Sequence, residues 1–140
     1  MQLVYNEEIG YHRAPIGSTE QAVGIIGPAI LFFGSEGQKR QHLPPITAGE
    51  TVWCQGFSEP EAGSGLASLR CRAVKDGDDY VINGDKIWTS NAHRSDWCAL
   101  LAFASLVPRL RNSVGDLHGQ HLFFTPVRTD AWITVDYEVS

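Results

Sequence analysis

The sequence predicts an α+β fold in which short N-terminal helices precede an antiparallel, β-barrel-like middle domain. Three observations carry that expectation. Apolar residues recur at helical spacing before Gly34, the pattern changes to period two from Thr51, and Asn83-Gly84 separates two β-prone runs.

Taken in order, Ala22, Ile26, Ala29, Ile30 and Phe33 fall on one helical face between Ser18 and Phe33, with Ser18 or Thr19 as N-cap. Gly27-Pro28 interrupts this run, because proline lacks a donor and clashes with the preceding turn; the expectation is a kink or two shorter helices. Ser35 and Gln38 have the spacing of a capping box, which starts a short helix that Pro44-Pro45 should stop. Ala48-Gly49-Glu50 then reads as a turn.

From Thr51 to Phe57 the chain is rich in β-formers, and Ala67, Leu69, Cys71 and Ala73 alternate with Ser68, Arg70 and Arg72. Asp79 to Ile82, Asn83-Gly84 and Lys86 to Thr89 together read as a hairpin, since Asn-Gly tolerates the positive φ of a type I′ turn. Trp97 to Phe103 is a further strand, as are Leu122 to Val127 and Trp132 to Val135. The stretch from Ala104 to Gly119 has no sustained period and reads as a loop.

Composition narrows the function. A chain of 140 residues holds one ordinary domain, or one domain and part of another. Hydrophobic residues make up 43% and charged residues 19%, which is globular rather than disordered. The net charge of -5 and the scatter of 11 basic residues argue against a nucleic-acid surface. No apolar run is long enough to span a bilayer, and the first residues lack a signal-peptide pattern, so the expected compartment is cytoplasmic with no membrane partner. Cys54, Cys71 and Cys98, odd in number and far apart, suit reduced core thiols better than a disulfide framework.

Two segments suggest chemistry. In Gln55 to Gly65 a strand leads into small residues, and Gly63 and Gly65 free the amides around Ser64 to point at one anion such as a phosphate or pyrophosphate. An ordinary loop explains such glycines more often than a phosphate site does, and the segment matches neither the Walker A nor the GxGxxG pattern. In Lys86 to Asn91, Trp88 offers an aromatic wall while Thr89 and Ser90 offer hydroxyls for the polar edge of a heterocycle such as a flavin. The competing reading is a core tryptophan beside a turn. His118 and His121 lack the further ligands of a metal site, and no metal is expected. Ser58 and Ser64 have no evident base partner, and Glu59 and Glu61 carry no sign of burial.

At these residues the chain resembles the acyl-CoA dehydrogenase family. The resemblance runs through Phe33-Gly34-Ser35-Glu36-Gly37-Gln38-Lys39-Arg40, Leu43-Pro44-Pro45-Ile46-Thr47-Ala48-Gly49-Glu50, Trp53-Cys54-Gln55-Gly56-Phe57-Ser58-Glu59-Pro60 and Ala62-Gly63-Ser64. It continues through Val81-Ile82-Asn83-Gly84-Asp85-Lys86-Ile87-Trp88-Thr89-Ser90 to Ala92-His93-Arg94-Ser95-Asp96-Trp97, so it covers the chain from about Gly27 to Ala102. It implies that residues 1–50 are the end of an N-terminal helical domain. Residues 51–140 are then a middle β domain that binds FAD and acyl-CoA and diverges after residue 102.

By position, the resemblance assigns cofactor contacts to Gln55, Phe57, Ser58, Gly63 and Ser64, with Ser64 also on the thioester side of the substrate. It sets Trp88, Thr89 and Ser90 along the isoalloxazine, with Ser90, where the family usually has Thr, near the flavin N5. Gly65 stands where the family usually has Asp. The implied chemistry is α,β-dehydrogenation of acyl-CoA thioesters, an oxidoreductase step of lipid metabolism that hands electrons to an electron-transfer flavoprotein in a homo-oligomer.

In the family the catalytic carboxylate belongs to a C-terminal helical domain, so no catalytic residue is assigned here and the segment alone is expected to show no turnover. One alternative is an enzyme completed by a separate polypeptide. The other is a non-catalytic module of the same origin that binds acyl-CoA or a dehydrogenase subunit.

Overall fold

A computed structural model describes residues 2–13, 19–63, 65, 68–77, 79–104, 120–127 and 135–138. Among them, helices precede a six-stranded mixed sheet, which makes the fold α+β. Helix α1 (Gln2–Tyr11) comes first. A second helical run follows, made of α2 (Thr19–Gln21), a π-helical stretch (Ala22–Ile26) and α3 (Gly27–Phe33).

The π stretch resolves the Gly27-Pro28 problem. The Gly27 amide reaches back five residues to the Ala22 carbonyl, and Pro28 then sits in the first turn of α3, where its missing donor costs little. Ala22, Ile26 and Ile30 are buried as their spacing predicts, whereas Phe33 is exposed. Gly27 lets α3 approach its neighbour: a Cβ there would lie 2.9 Å from the Ala22 carbonyl oxygen and 3.6 Å from Ile46 Cγ2.

Helix α4 (Glu36–Ala48) begins with the expected capping box. The Gln38 amide donates to Ser35 Oγ at 3.2 Å, and the Ser35 amide donates to Gln38 Oε1 at 2.9 Å. Contrary to expectation, Pro44 and Pro45 lie inside this helix and do not end it. The carbonyls that lose their donors belong to Arg40 and Gln41, both at exposed positions where water can satisfy them. The end comes at Gly49, in a left-handed conformation, with Gly49 N donating to Ile46 O and Glu50 N to Pro45 O, a Schellman closure.

The strands are β1 (Trp53–Gly56), β2 (Arg72–Asp76), β3 (Asp79–Asn83), β4 (Trp97–Ala104), β5 (Gln120–Pro126) and β6 (Val135–Glu138). Strand β4 pairs in parallel with β1 and then β2 along one edge, and antiparallel with β5 along the other. Strands β2, β3 and β6 pair antiparallel in succession. Among the described residues the sheet is therefore mixed and does not close on itself, which corrects the antiparallel, barrel-like expectation. Parallel pairing of β1 with β4 is possible because the chain between them is long enough to cross over while carrying a hairpin. Alternation within a strand does not encode that direction.

That hairpin is also not the expected one. Asp76 pairs with Asp79, so the chain turns between them, with Gly77 at φ +63°, and residues 84–89 form no strand. Gly84 is needed for a different reason: a Cβ there would stand 2.7 Å from Cys71 Cα. Of the expected strand Trp132 to Val135 only Val135, the first residue of β6, is among the described residues. Of the loop expected from Ala104 to Gly119, Ala104 instead ends β4, and residues 105–119 lie outside the described residues, as does Ser18.

Helices and sheet meet in one core, to which Ile26, Ile30 and Ile46 contribute from the helices and Trp53, Ala99, Leu100 and Phe124 from the strands. Burying each large apolar side chain contributes about 1.5–3 kcal/mol. At the seam His42 of α4 enters an aromatic nest, with ring centroids 5.2 Å from Trp53, 4.7 Å from Trp97 and 5.8 Å from Phe124. Trp53 and Trp97 stack at 5.6 Å. Cys54, Cys71 and Cys98 are buried free thiols. No described helix is long and apolar enough to cross a membrane.

Candidate functional site

The loop that follows β1 is tied to the segment that follows β3 by a buried ion pair. Lys86 Nζ lies 2.8 Å from Glu59 Oε1, and the two side chains are only 3% and 5% exposed. Lys86 Nζ also donates to the Phe57 carbonyl at 3.1 Å, and its stem passes Gly56, where a Cβ would come within 3.5 Å of Lys86 Cγ. Glu59 accepts two more hydrogen bonds, from Arg70 N to Oε2 at 2.6 Å and from Cys71 N to Oε1 at 3.0 Å. Burial pushes the Glu59 carboxyl up, but the Lys86 hydrogen bond and these two amides outweigh it and hold it below the usual carboxylate range.

Around this pair the backbone is closely fastened. Glu59 and Ala62 exchange two hydrogen bonds, of 2.8 and 3.1 Å, which close the Pro60-Glu61 turn. Ile87 N donates to Ser58 O at 2.9 Å, so the residues on either side of the ion pair are joined directly. Glu61 pairs with Arg70 at the surface. A shallow cleft of about 230 Å³ opens between the Glu59-Glu61 turn, Arg70-Cys71 and Gly84-Asp85.

Beyond Ile87 the backbone turns sharply. Trp88 adopts φ +57° and Asn91 φ +66°, and Ser90 N donates to Trp88 O at 2.9 Å. A left-handed conformation costs a bulky side chain about 1–2 kcal/mol, so it persists only where the surroundings impose it. Trp88 is 85% exposed, so among the described residues it is not the core tryptophan of the competing reading. Beside it, Thr89 Oγ1 is buried with no hydrogen-bond partner among the described residues. An exposed indole next to an unsatisfied buried hydroxyl fits a flat heterocycle that carries polar edges.

The expected site residues therefore come together in part. Gln55, Phe57 and Ser58 are half-buried at the end of β1 and beyond, and Ser58 is one backbone bond from the segment bearing Trp88, Thr89 and Ser90. Gly63 is exposed, with open space where a side chain would be, and Ser64 lies outside the described residues. His121 is half-buried 6.5 Å from Phe123, and His118 lies outside the described residues.

Reasoning from sequence missed the partnership of Glu59 with Lys86. The signal was Lys86, the one charge in its segment, against Glu59 and Glu61 in the other, but the pairing of Lys86 with Glu59 spans 27 positions and no local pattern reports it.

Residues 54–132 match the family model described as "Acyl-CoA dehydrogenase, middle domain", and residues 1–50 match "Acyl-CoA dehydrogenase, N-terminal domain". Among curated relatives, the acyl-CoA dehydrogenase IpdE1 of Mycobacterium tuberculosis is 45% identical over 101 residues, which is 72% of this chain and 26% of that protein. The acyl-CoA dehydrogenase FadE29 of the same organism is 45% identical over 96 residues, 69% of this chain and 24% of that protein. The chain thus spans about a quarter of the length of these relatives.

Among solved structures, the ChsE4-ChsE5 complex of Mycobacterium tuberculosis aligns with TM-score 0.74 at 36% identity, covering 89% of this chain and 31% of that one. A glutaryl-CoA dehydrogenase of Mycobacterium smegmatis in complex with FADH2 aligns with TM-score 0.59 at 33% identity, covering 71% of this chain and 23% of that one. Two family models that between them take in the helices and the sheet from Cys54 to the end of β5 place the chain in the acyl-CoA dehydrogenase family.

Proposed function

We propose that this chain forms the cofactor-facing part of an FAD-dependent acyl-CoA dehydrogenase that oxidises the CH–CH bond of acyl-CoA thioesters. The observation that carries the reading is Trp88, 85% exposed and held at φ +57° beside a Thr89 hydroxyl that has no hydrogen-bond partner among the described residues. Water gains nothing from that arrangement, whereas a flat cofactor would cover the ring and give the hydroxyl a partner.

In this reading FAD, when bound, supplies the hydride acceptor for the substrate β-carbon. Trp88 covers the flavin, and Thr89 and Ser90 hydrogen-bond its polar edge. Gln55, Phe57 and Ser58 flank it from the end of β1, while the small residues Gly63 and Ser64 leave the backbone amides accessible to the pyrophosphate. Ser64 also meets the thioester side of the acyl-CoA. Residues 1–50 act as the end of a helical domain and residues 51–140 as the middle domain. The partners of the whole protein are an electron-transfer flavoprotein and a further acyl-CoA dehydrogenase chain, in the cytoplasm. Support for the second partner comes from a relative solved as a complex, ChsE4-ChsE5.

The test is retention of FAD after incubation and desalting, read as the visible flavin band, with folding followed by circular dichroism. A retained and shifted band that is lost in a folded Trp88→Ala variant is the expected result. A folded chain that retains no flavin refutes the reading.

A further inference from the structure

We propose that Lys86 and Glu59 are positioning residues for the cofactor: their buried ion pair sets how the Trp88-Ser90 segment stands against Ser58. The inference rests on the cofactor reading above and deepens it. Residues 84–89 belong to no strand, so no ladder of backbone bonds fixes them. What holds the segment is Ile87 N on Ser58 O at 2.9 Å, together with Lys86 Nζ on Phe57 O at 3.1 Å and on Glu59 Oε1 at 2.8 Å. All three bonds run between the segment and the loop after β1. Glu59 in turn is anchored by the Arg70 and Cys71 amides immediately before β2, so the pair carries the position of the sheet into the segment.

Stability alone is a poor explanation for two charges that are 3% and 5% exposed. Taking both ions out of water costs nearly as much as their attraction returns, and well-packed apolar replacements are often as stable. What such a pair supplies is a defined distance and direction. Here that geometry is delivered one residue before Ile87 and two before Trp88, the position where the backbone enters its left-handed conformation.

A single neutralised partner would leave a buried charge unpaired and endanger the fold, so the informative variant is Lys86→Met combined with Glu59→Gln. It carries no charge and keeps a carbonyl acceptor for the Arg70 or Cys71 amide. Three properties are measured: unfolding midpoint, FAD affinity with the position of the visible flavin band, and amide hydrogen exchange at Ile87 in the absence of cofactor.

The expected result has the double variant folded, with FAD affinity lowered about tenfold or more, a flavin band moved toward that of free FAD, and Ile87 exchanging about tenfold or more faster. Exchange in β4 should stay unchanged. Ile87 exchange and FAD affinity both within about twofold of the unaltered chain would overturn the proposal. If the unaltered chain binds no FAD, the cofactor reading fails by itself, and the exchange rate at Ile87 still decides whether the pair positions this segment.

Discussion

Replacing Gly84 with alanine should be among the most damaging single-methyl changes in the protein. Gly84 has φ +147°, a conformation that costs an L-residue about 1–3 kcal/mol. Its new Cβ would stand 2.7 Å from Cys71 Cα, 2.9 Å from Cys71 Cβ and 3.0 Å from Cys71 Sγ. The nearest of these atoms is backbone adjoining β2, so it cannot swing aside as a flexible side chain would, and overpacking of this kind adds about 1–3 kcal/mol. Together the two terms give a loss of about 4 kcal/mol, a large share of the roughly 5–15 kcal/mol that holds a domain folded.

Urea unfolding followed by tryptophan fluorescence measures the loss directly, with an unchanged slope as the sign of a pure stability effect. Gly77→Ala is the matched control. It shares the positive φ, at +63°, but has nothing within 4 Å of its Cβ, so it should lose only about 1–2 kcal/mol. A Gly84→Ala loss no larger than that of Gly77→Ala would refute the argument that close approach to Cys71, and not turn geometry, is what requires glycine after Asn83.

Acid should destabilise the protein in two stages. Burial holds the His42 pKa below its ordinary 6.5, so the stability from keeping it neutral is complete above pH 6.5 and falls as the pH drops toward the folded value. Glu59, held below its ordinary 4.5, adds a second loss as the pH falls from there through its folded value. Unfolding free energies across this range should lose the first stage in His42→Leu; parallel profiles for the two proteins would refute it. Ser35→Ala removes the hydroxyl half of the capping box and should cost about 1 kcal/mol in the urea midpoint, whereas no change would mean that α4 is held by packing alone.

Wherever the relevant physics acts within a few residues, it was legible in the sequence. The Ser35-Gln38 capping box and the buried stripe of Ala22, Ile26 and Ile30 depend on near neighbours in the chain, and both appear in the structure. Leu69, Cys71 and Ala73 are buried as their alternation predicts, although only Ala73 lies in a strand, since β2 begins at Arg72. The family was legible for the same reason, since its motifs are contiguous runs.

Local signals failed where a long-range contact reused the same residues. Asn83-Gly84 carries hairpin chemistry, but its glycine is needed to pass Cys71, and the chain turns instead between Asp76 and Asp79, at Gly77. Pro44-Pro45 has helix-stopping chemistry, but packing of His42 and Ile46 into the core continues the helix across the two prolines.

Strand direction and the pairing of Glu59 with Lys86 were beyond the sequence altogether. Side-chain alternation is the same in parallel and antiparallel ladders, and burial of a charge depends on what the distant chain brings to cover it. Residue identity thus determined the elements and the family. Tertiary structure decided which glycine turns the chain, how the strands run beside β4, and which two charges join the candidate cofactor segments, because each of these is an energy shared between residues far apart in the chain.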